Sequence, residues 1–413
     1  MSDLIKSILL LLSLVSSEVY AQNLQDKFYT VRPKGMGGAF VSIANDKNAV
    51  WYNPAGIARM RRSRSRRKLH IFSFPNVQAS WNQNGLNYIS AMASGADDES
   101  LSDILTGPDS SFGTENIFAD VGAFPLIGFD TKKKGQAPII MGLYGQSKIS
   151  SVVDTTDLSS PDTTAATQAM LEIGALFDIA YNTQSNLFSI GLQIRGAKRN
   201  DFEDVLSSEI LLDESQLMDR LRKYSNSTFG LAVDLGMLWT FADLWFPTLA
   251  ISMMDLPISC KQNYLNPFSM TRQEVCGTVY QGEVKNEDAL ALIDPTNFMV
   301  GLSMTPRLTR NVGLRVALEM HNINLQVGQQ NWGLSDIPLS RKLHAGIELF
   351  FGNPLVPPPF SITAGVNQGF LTYGLNMKLG FLELGYAKYS ENISTTSTSR
   401  EDSRHVAELS FEF

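Results

Sequence analysis

The sequence predicts an all-β fold, a transmembrane antiparallel barrel of about fourteen strands. Three observations predict it: an export leader, strands with one apolar face each, and connections that alternate short and long.

The leader opens the chain. In "MSDLIKSILLLLSLVSSEVYAQ", Lys6 precedes an apolar run from Ile8 to Val15, and Val19-Tyr20-Ala21 supplies the small residues a signal peptidase needs. Residues 1–21 therefore read as a secretory signal cut after Ala21. The run falls short of the roughly 20 apolar residues a spanning helix requires. No second long apolar run follows, although 44% of the residues are hydrophobic. A membrane-spanning mature chain would have to cross with strands.

The strands show as period-two segments. In "LFSIGLQIRG", Phe188, Ile190, Leu192 and Ile194 oppose Ser189, Gly191, Gln193 and Arg195. "TFGLAVDLGMLWT" and "VGLRVALEMH" alternate in the same way, the latter setting Val312, Leu314, Val316, Leu318 and Met320 against Gly313, Arg315, Ala317, Glu319 and His321. Such segments centre near residues 75, 123, 144, 175, 192, 233, 251, 300, 317, 346, 363, 374, 385 and 408. Their even number suits a closed barrel with both ends on one side.

Short connections such as 131–136, 184–186, 242–245, 306–311 and 352–359 alternate with long ones near 82–116, 153–167, 200–226, 257–295, 325–340 and 391–401. Two of the long loops, "DDESLSDILTG" and "EDVLSSEILLDESQLMDRLRKY", are expected to hold helices. A soluble β-sandwich also alternates, but it would have to bury its apolar faces between two sheets. Nearly every strand here carries an apolar face and the long loops crowd one rim, which favours the barrel.

The final strand, "HVAELSFEF", places Ala407, Leu409, Phe411 and Phe413 on one face. Ending on an aromatic residue, it resembles the terminal signal read by the barrel assembly machinery, with Phe411 and Phe413 as its key residues. Cys260 and Cys276 are an even pair in an exported chain and read as a disulfide. The formal charge of −7 disfavours a nucleic-acid partner. The basic block from Arg59 to Lys68 is instead expected at the periplasmic rim, against anionic headgroups.

Ahead of the first strand stands "DKFYTVRPKGMGGAFVSIANDKNAVWYNPAGIARM". Its Gly35, Met36, Gly37, Gly38, Ala39 and Phe40, followed by Asn53, Pro54 and Ala55, resemble the amino-terminal hatch of the long-chain fatty-acid transporter (FadL) family. Near the other end, "ITAGVNQGFLTYGLNMKLGFLELGYAKYSE" is similar to the closing hairpins of FadL-like barrels.

The resemblance implies a hatch inside the lumen at residues 22–68, a barrel over 69–413, and a place in the bacterial outer membrane. It implies passive uptake of hydrophobic compounds such as long-chain fatty acids, in the better-known members through the wall beside a kinked strand. The alternative is a FadL-like barrel with a structural or protein-handling role of the PorV type, which would bring a protein partner. Partners expected on the first reading are a hydrophobic small molecule, outer-membrane lipids and the assembly machinery.

Lumen-facing charges are the remaining candidates: Asp178, Arg195, Asp234, Arg315, Glu319, Glu348, Lys378 and Glu383. Facing lipid, a basic residue near mid-membrane would cost about 2–4 kcal/mol. Arg195, Arg315, Glu319 and Asp234 are the candidate lumen or substrate residues, and either arginine could hold a carboxylate. Bracing of the lumen is the plainer role for each. No enzyme, metal or cofactor is expected, since His70, His321, His344 and His405 are scattered and no Gly-x-Ser-x-Gly elbow exists.

Overall fold

The computed structural model describes residues 27–60, 69–94, 114–130, 137–154, 164–183, 187–207, 210, 214–241, 245–266, 269, 271–285, 292–327, 330–352, 358–393 and 401–412. The signal peptide, the basic run 61–68, the helix expected over 97–107 and Phe413 lie outside the described residues.

In chain order the strands are β1 (Leu69–Asn82), β2 (Thr114–Ala123), β3 (Leu126–Asp130), β4 (Pro138–Asp154), β5 (Thr164–Asn182), β6 (Phe188–Ser207) and β7 (Asn226–Thr240). There follow β8 (Thr248–Met254), β9 (Ser259–Leu265), β10 (Arg272–Val279), β11 (Gln281–Glu283), β12 (Ile293–Pro295), β13 (Asn297–Met304) and β14 (Val312–Met320). The last are β15 (Gln326–Val327), β16 (Gln330–Asn331), β17 (Leu343–Phe351), β18 (Phe360–Asn367), β19 (Phe370–Leu379), β20 (Leu382–Asn392) and β21 (Glu401–Glu412).

The wall is a closed antiparallel barrel of 14 strand positions. Its order runs β1, β2 with β3, β4 to β8, β13, β14 and β17 to β21, and β21 pairs back onto β1. Each expected segment falls on one of these positions. One position is shared: β2 pairs with the far half of β1, through Val77↔Ala123, while β3 pairs with its beginning, through Phe72↔Ile127. The break falls at Phe124-Pro125, where proline has no N–H to give to a ladder. β1 has an irregularity of its own nearby, a register shift against β21 between Ser73 and Asn76, where Pro75 also lacks an N–H.

Exposure along the wall is the reverse of a soluble protein's. Leu143, Ile173 and Leu371 are 65%, 62% and 79% exposed, whereas Asp178, Arg195, Asp234 and Glu348 are buried. Such a barrel is stable only with hydrocarbon outside and polar filling inside. Outward aromatic pairs mark the short-turn rim: Trp239 with Phe241, Phe351 with Phe360, and Phe381 with Phe411, at centroid distances of 5.1, 5.5 and 5.8 Å. No helix among the described residues is long and apolar enough to cross a membrane.

The opposite rim departs from expectation. The stretches 257–295 and 325–340, expected as plain loops, form a second sheet of β9, β10, β12, β15 and β16. Tyr264, Val275, Ile293, Leu334 and Ile337 bury one another in it, too widely spaced in sequence to show a period. Cys260 and Cys276 are register partners in this sheet and form the expected disulfide. β6 runs on to Ser207, so the second expected helix starts later than expected and includes Glu214–Tyr224, and a helix over Gln83–Ser94 precedes the first. β18 and β19 are joined on this rim by the tight turn Gln368-Gly369.

Replacing both cysteines with serine removes a cross-link between residues 16 apart. It should loosen the small sheet by about 3 kcal/mol. Faster proteolytic cutting within 255–295, with unchanged heat-modifiable migration of the barrel, is the expected result.

Candidate functional site: the filled lumen

Residues 27–60 lie inside the barrel and are almost wholly buried. They form two short helices, Val31–Gly35 and Ala49–Tyr52, and a 3-10 turn over Pro54–Arg59. A segment with so little regular structure has to find partners for its backbone elsewhere. The wall supplies many of them.

Glu319 is the clearest case. One carboxylate oxygen accepts from the backbone N–H groups of Phe40 and Val41, both at 3.0 Å, and the other from the N–H and hydroxyl of Ser42, both at 2.8 Å. Successive N–H groups converging on one carboxylate make a charge-assisted nest. His321 Nε2 lies 3.1 Å from the same carboxylate, and its ring stacks on His344 at 4.1 Å. His344 Nδ1 reaches the Gly37 carbonyl at 2.8 Å.

The glycine run fits where a side chain would not. Gly37 and Gly38 have φ of +67° and +81°, conformations glycine adopts readily. A Cβ at Gly35 would stand 2.2 Å from Thr363 Oγ1. Asn53 both caps and anchors its turn: its carbonyl oxygen accepts from the Ala55 N–H at 3.1 Å, and its amide donates to the Val41 and Met237 carbonyls at 3.1 and 3.3 Å. Pro54 occupies the first position of the 3-10 turn, where its missing N–H matters least. The wall makes room with glycines of its own: a Cβ on Gly236 would meet Asn53 Oδ1 at 2.0 Å, and one on Gly191 the Pro54 carbonyl carbon at 2.3 Å.

Charges cross the boundary in pairs. Arg32 forks onto Glu348, with Nε 2.9 Å and Nη2 2.8 Å from its oxygens, and Arg315 joins the same carboxylate at 2.6 Å. Lys34 binds Glu391 at 2.7 Å, and Lys47 binds Glu383 and Glu408, each at 2.8 Å. Lys27 bonds to Asp294 of the small sheet and to Tyr280, beside Arg199 and Glu172. Burial raises the pKa of Asp294, but Arg199 and Lys27 outweigh it and hold the carboxyl well below the usual range. Burial pushes Asp255, just beyond β8, up to about 6 despite Arg195.

The four candidate lumen residues are all buried and inward-facing. Arg195 donates to Asp234 at 2.6 and 3.0 Å and to Asp255 at 3.0 Å; Arg315 is bound to Glu348. These contacts support bracing for both arginines. Glu319 grips the inner segment, a role sequence reasoning missed because its partners are backbone groups 277 to 279 residues away. The wall glycines were missed too, although their place on the polar faces of alternating strands was a signal.

Behind the break at Phe124-Pro125 lies an aromatic cluster. Phe28 stacks on Trp51 at 4.2 Å, and Phe124 and Tyr144 meet this pair edge-on at 5.2 to 5.8 Å. Gln78 borders it, and the wall beside it stays paired through the Phe124 N–H to the Asn76 carbonyl and the Leu143 N–H to the Pro125 carbonyl.

Gly236→Val should displace the Asn53-Pro54 turn and raise single-channel conductance in planar bilayers above that of wild type. Glu319→Gln should weaken the hold on Phe40–Ser42 and cost about 2 kcal/mol in unfolding measurements.

No family profile and no curated protein matches this sequence. Solved structures do match its fold. The deltaS2S3 mutant of TodX, a monoaromatic hydrocarbon channel, superposes with a TM-score of 0.53 at 12% identity, over 93% of this chain and 98% of that one. The Pseudomonas putida toluene transporter TodX gives 0.50 at 11% identity over 94% and 99%, and the Ralstonia pickettii toluene transporter TbuX 0.50 at 12% over 94% and 98%. With its apolar outer wall and its polar, filled lumen, the chain is an outer-membrane-type β-barrel with the fold of the TodX and TbuX channels.

Proposed function

We propose that the protein carries hydrophobic compounds across the outer membrane, with residues 27–60 acting as a hatch. The observation that carries this reading is the aromatic cluster of Phe28, Trp51, Phe124 and Tyr144, formed half by the inner segment and half by the wall, at the strand break. An apolar solute binds where it exchanges water for ring faces, at about 25 cal/mol per Å² of area buried. The break beside the cluster offers a short way into the bilayer, so the solute need not traverse the charged periplasmic half of the lumen. Long-chain fatty acids suit such a route by their tails, and the hydrocarbons named for the similar channels suit it throughout.

Uptake of labelled oleate and labelled toluene by a strain lacking the gene, with and without a plasmid copy, tests this. Faster uptake of at least one solute with the gene is the expected result, and Trp51→Ala should change that rate by several fold. Equal rates for both solutes would remove the proposal.

A second reading, a protein-handling barrel, is favoured by one feature, the disulfide-closed sheet at the long-loop rim. It requires a stable protein partner recoverable by cross-linking through that sheet.

A further inference from the structure

The inner faces of β5, β6 and β7 set three polar residues side by side. Asp178 is the register partner of Gln193, and Gln193 that of Asp234. All three are fully buried. Asp234 is well supplied, by Arg195 Nε and Nη2 and by the Asp255 backbone N–H at 2.7 Å. Asp178 is not. Neither of its carboxylate oxygens, nor either side-chain polar atom of Gln193, has a hydrogen-bond partner among the described residues, and Arg195 Nη1 is in the same position.

The charges do not balance either. Asp178, Asp234 and Asp255 share one guanidinium, and Arg195 gives its bonds to the latter two. In the next layer, Lys27 and Arg199 are matched by Glu172 and Asp294, so that layer has no surplus cation to lend. A buried carboxylate beside a second one, without donor or counter-charge, is strongly unfavourable. Two residues along the same strands, Gly191 and Gly236 receive the Asn53-Pro54-Ala55 turn. The unmet groups therefore lie next to that turn, where wall and inner segment meet.

We propose that Asp178 and Gln193 form a monovalent-cation site. An ion of sodium or potassium size is held by the Asp178 carboxylate and Gln193 Oε1. Hard oxygen donors suit such an ion. A multidentate metal centre does not fit, since no group of three His, Cys, Asp or Glu among the described residues is arranged to hold one. The ion supplies the missing positive charge and helps to seat the turn, whatever solute the barrel carries.

The test uses the full-length barrel purified in detergent, unfolded by heat at constant ionic strength in sodium, potassium or N-methylglucamine chloride. Wild type should show a saturable rise in Tm of about 2–4 °C in one alkali salt over the organic cation. Asp178→Asn should abolish the difference. Identical wild-type Tm in all three salts overturns the proposal. So does a Tm that rises on acidification with no alkali dependence, because the occupant is then a proton. Should Asp178→Asn fail to assemble, sodium-23 line broadening on wild type, reversed by potassium, supports the site, and its absence refutes it.

Discussion

Everything in this molecule follows from one requirement: in hydrocarbon, each backbone N–H and C=O must be paired within the protein. The wall meets it by closing on itself, so that β1 hydrogen-bonds to β21. Closure at 14 strands creates a second problem. A ring of that width encloses more space than its own side chains fill. The amino-terminal segment occupies that space, and having no strand to pair with, it borrows hydrogen bonds from wall side chains. Glu319, Ser303 and Thr372 each take part in one of these loans.

The same division appears in the charges. Lys27, Arg32, Lys34 and Lys47 all belong to the inner segment, and, apart from Asp46 of the same segment, which shares Arg32, their partners Glu172, Asp294, Glu348, Glu391, Glu383 and Glu408 belong to the wall or the small sheet. The segment is a polycation seated in an acidic sleeve. Separating any one pair leaves two desolvated charges, and breaking a buried pair by removing one partner typically costs about 3–5 kcal/mol. The segment is accordingly held at several points along its length, and water has to enter before any one of them lets go.

Much of the wall was legible in the sequence, because a strand with lipid on one side and polar contents on the other writes its geometry as a period of two. Ile190 and Arg195 declare their faces without help from the rest of the chain. The disulfide was legible for a different reason, there being only two cysteines to pair. The small sheet was not, since its core residues come from separate loops and carry no period. Nor was the strand break: Pro75 and Pro125 are each visible as residues that disfavour a central strand, but that they meet across one seam, where the Phe124 N–H donates to the Asn76 carbonyl, shows only in the closed wall. Of the lumen site, the glycine run and the Asn-Pro turn stood out, whereas their counterparts Gly191, Gly236 and Glu319 acquire meaning only when the wall is closed around them.

The bond between Lys27 and Asp294 ties the first described residue of the inner segment to the sheet on the outer rim. From there the chain runs through the lumen to the 3-10 turn near the opposite mouth, where Arg59 reaches Ser189 and Thr240. One continuous strip of backbone thus spans the barrel from rim to rim, anchored at both ends. A displacement of the outer sheet must either break the Lys27–Asp294 pair or pull on that strip. The extracellular surface and the periplasmic mouth are therefore mechanically in series, like the two ends of a drawcord.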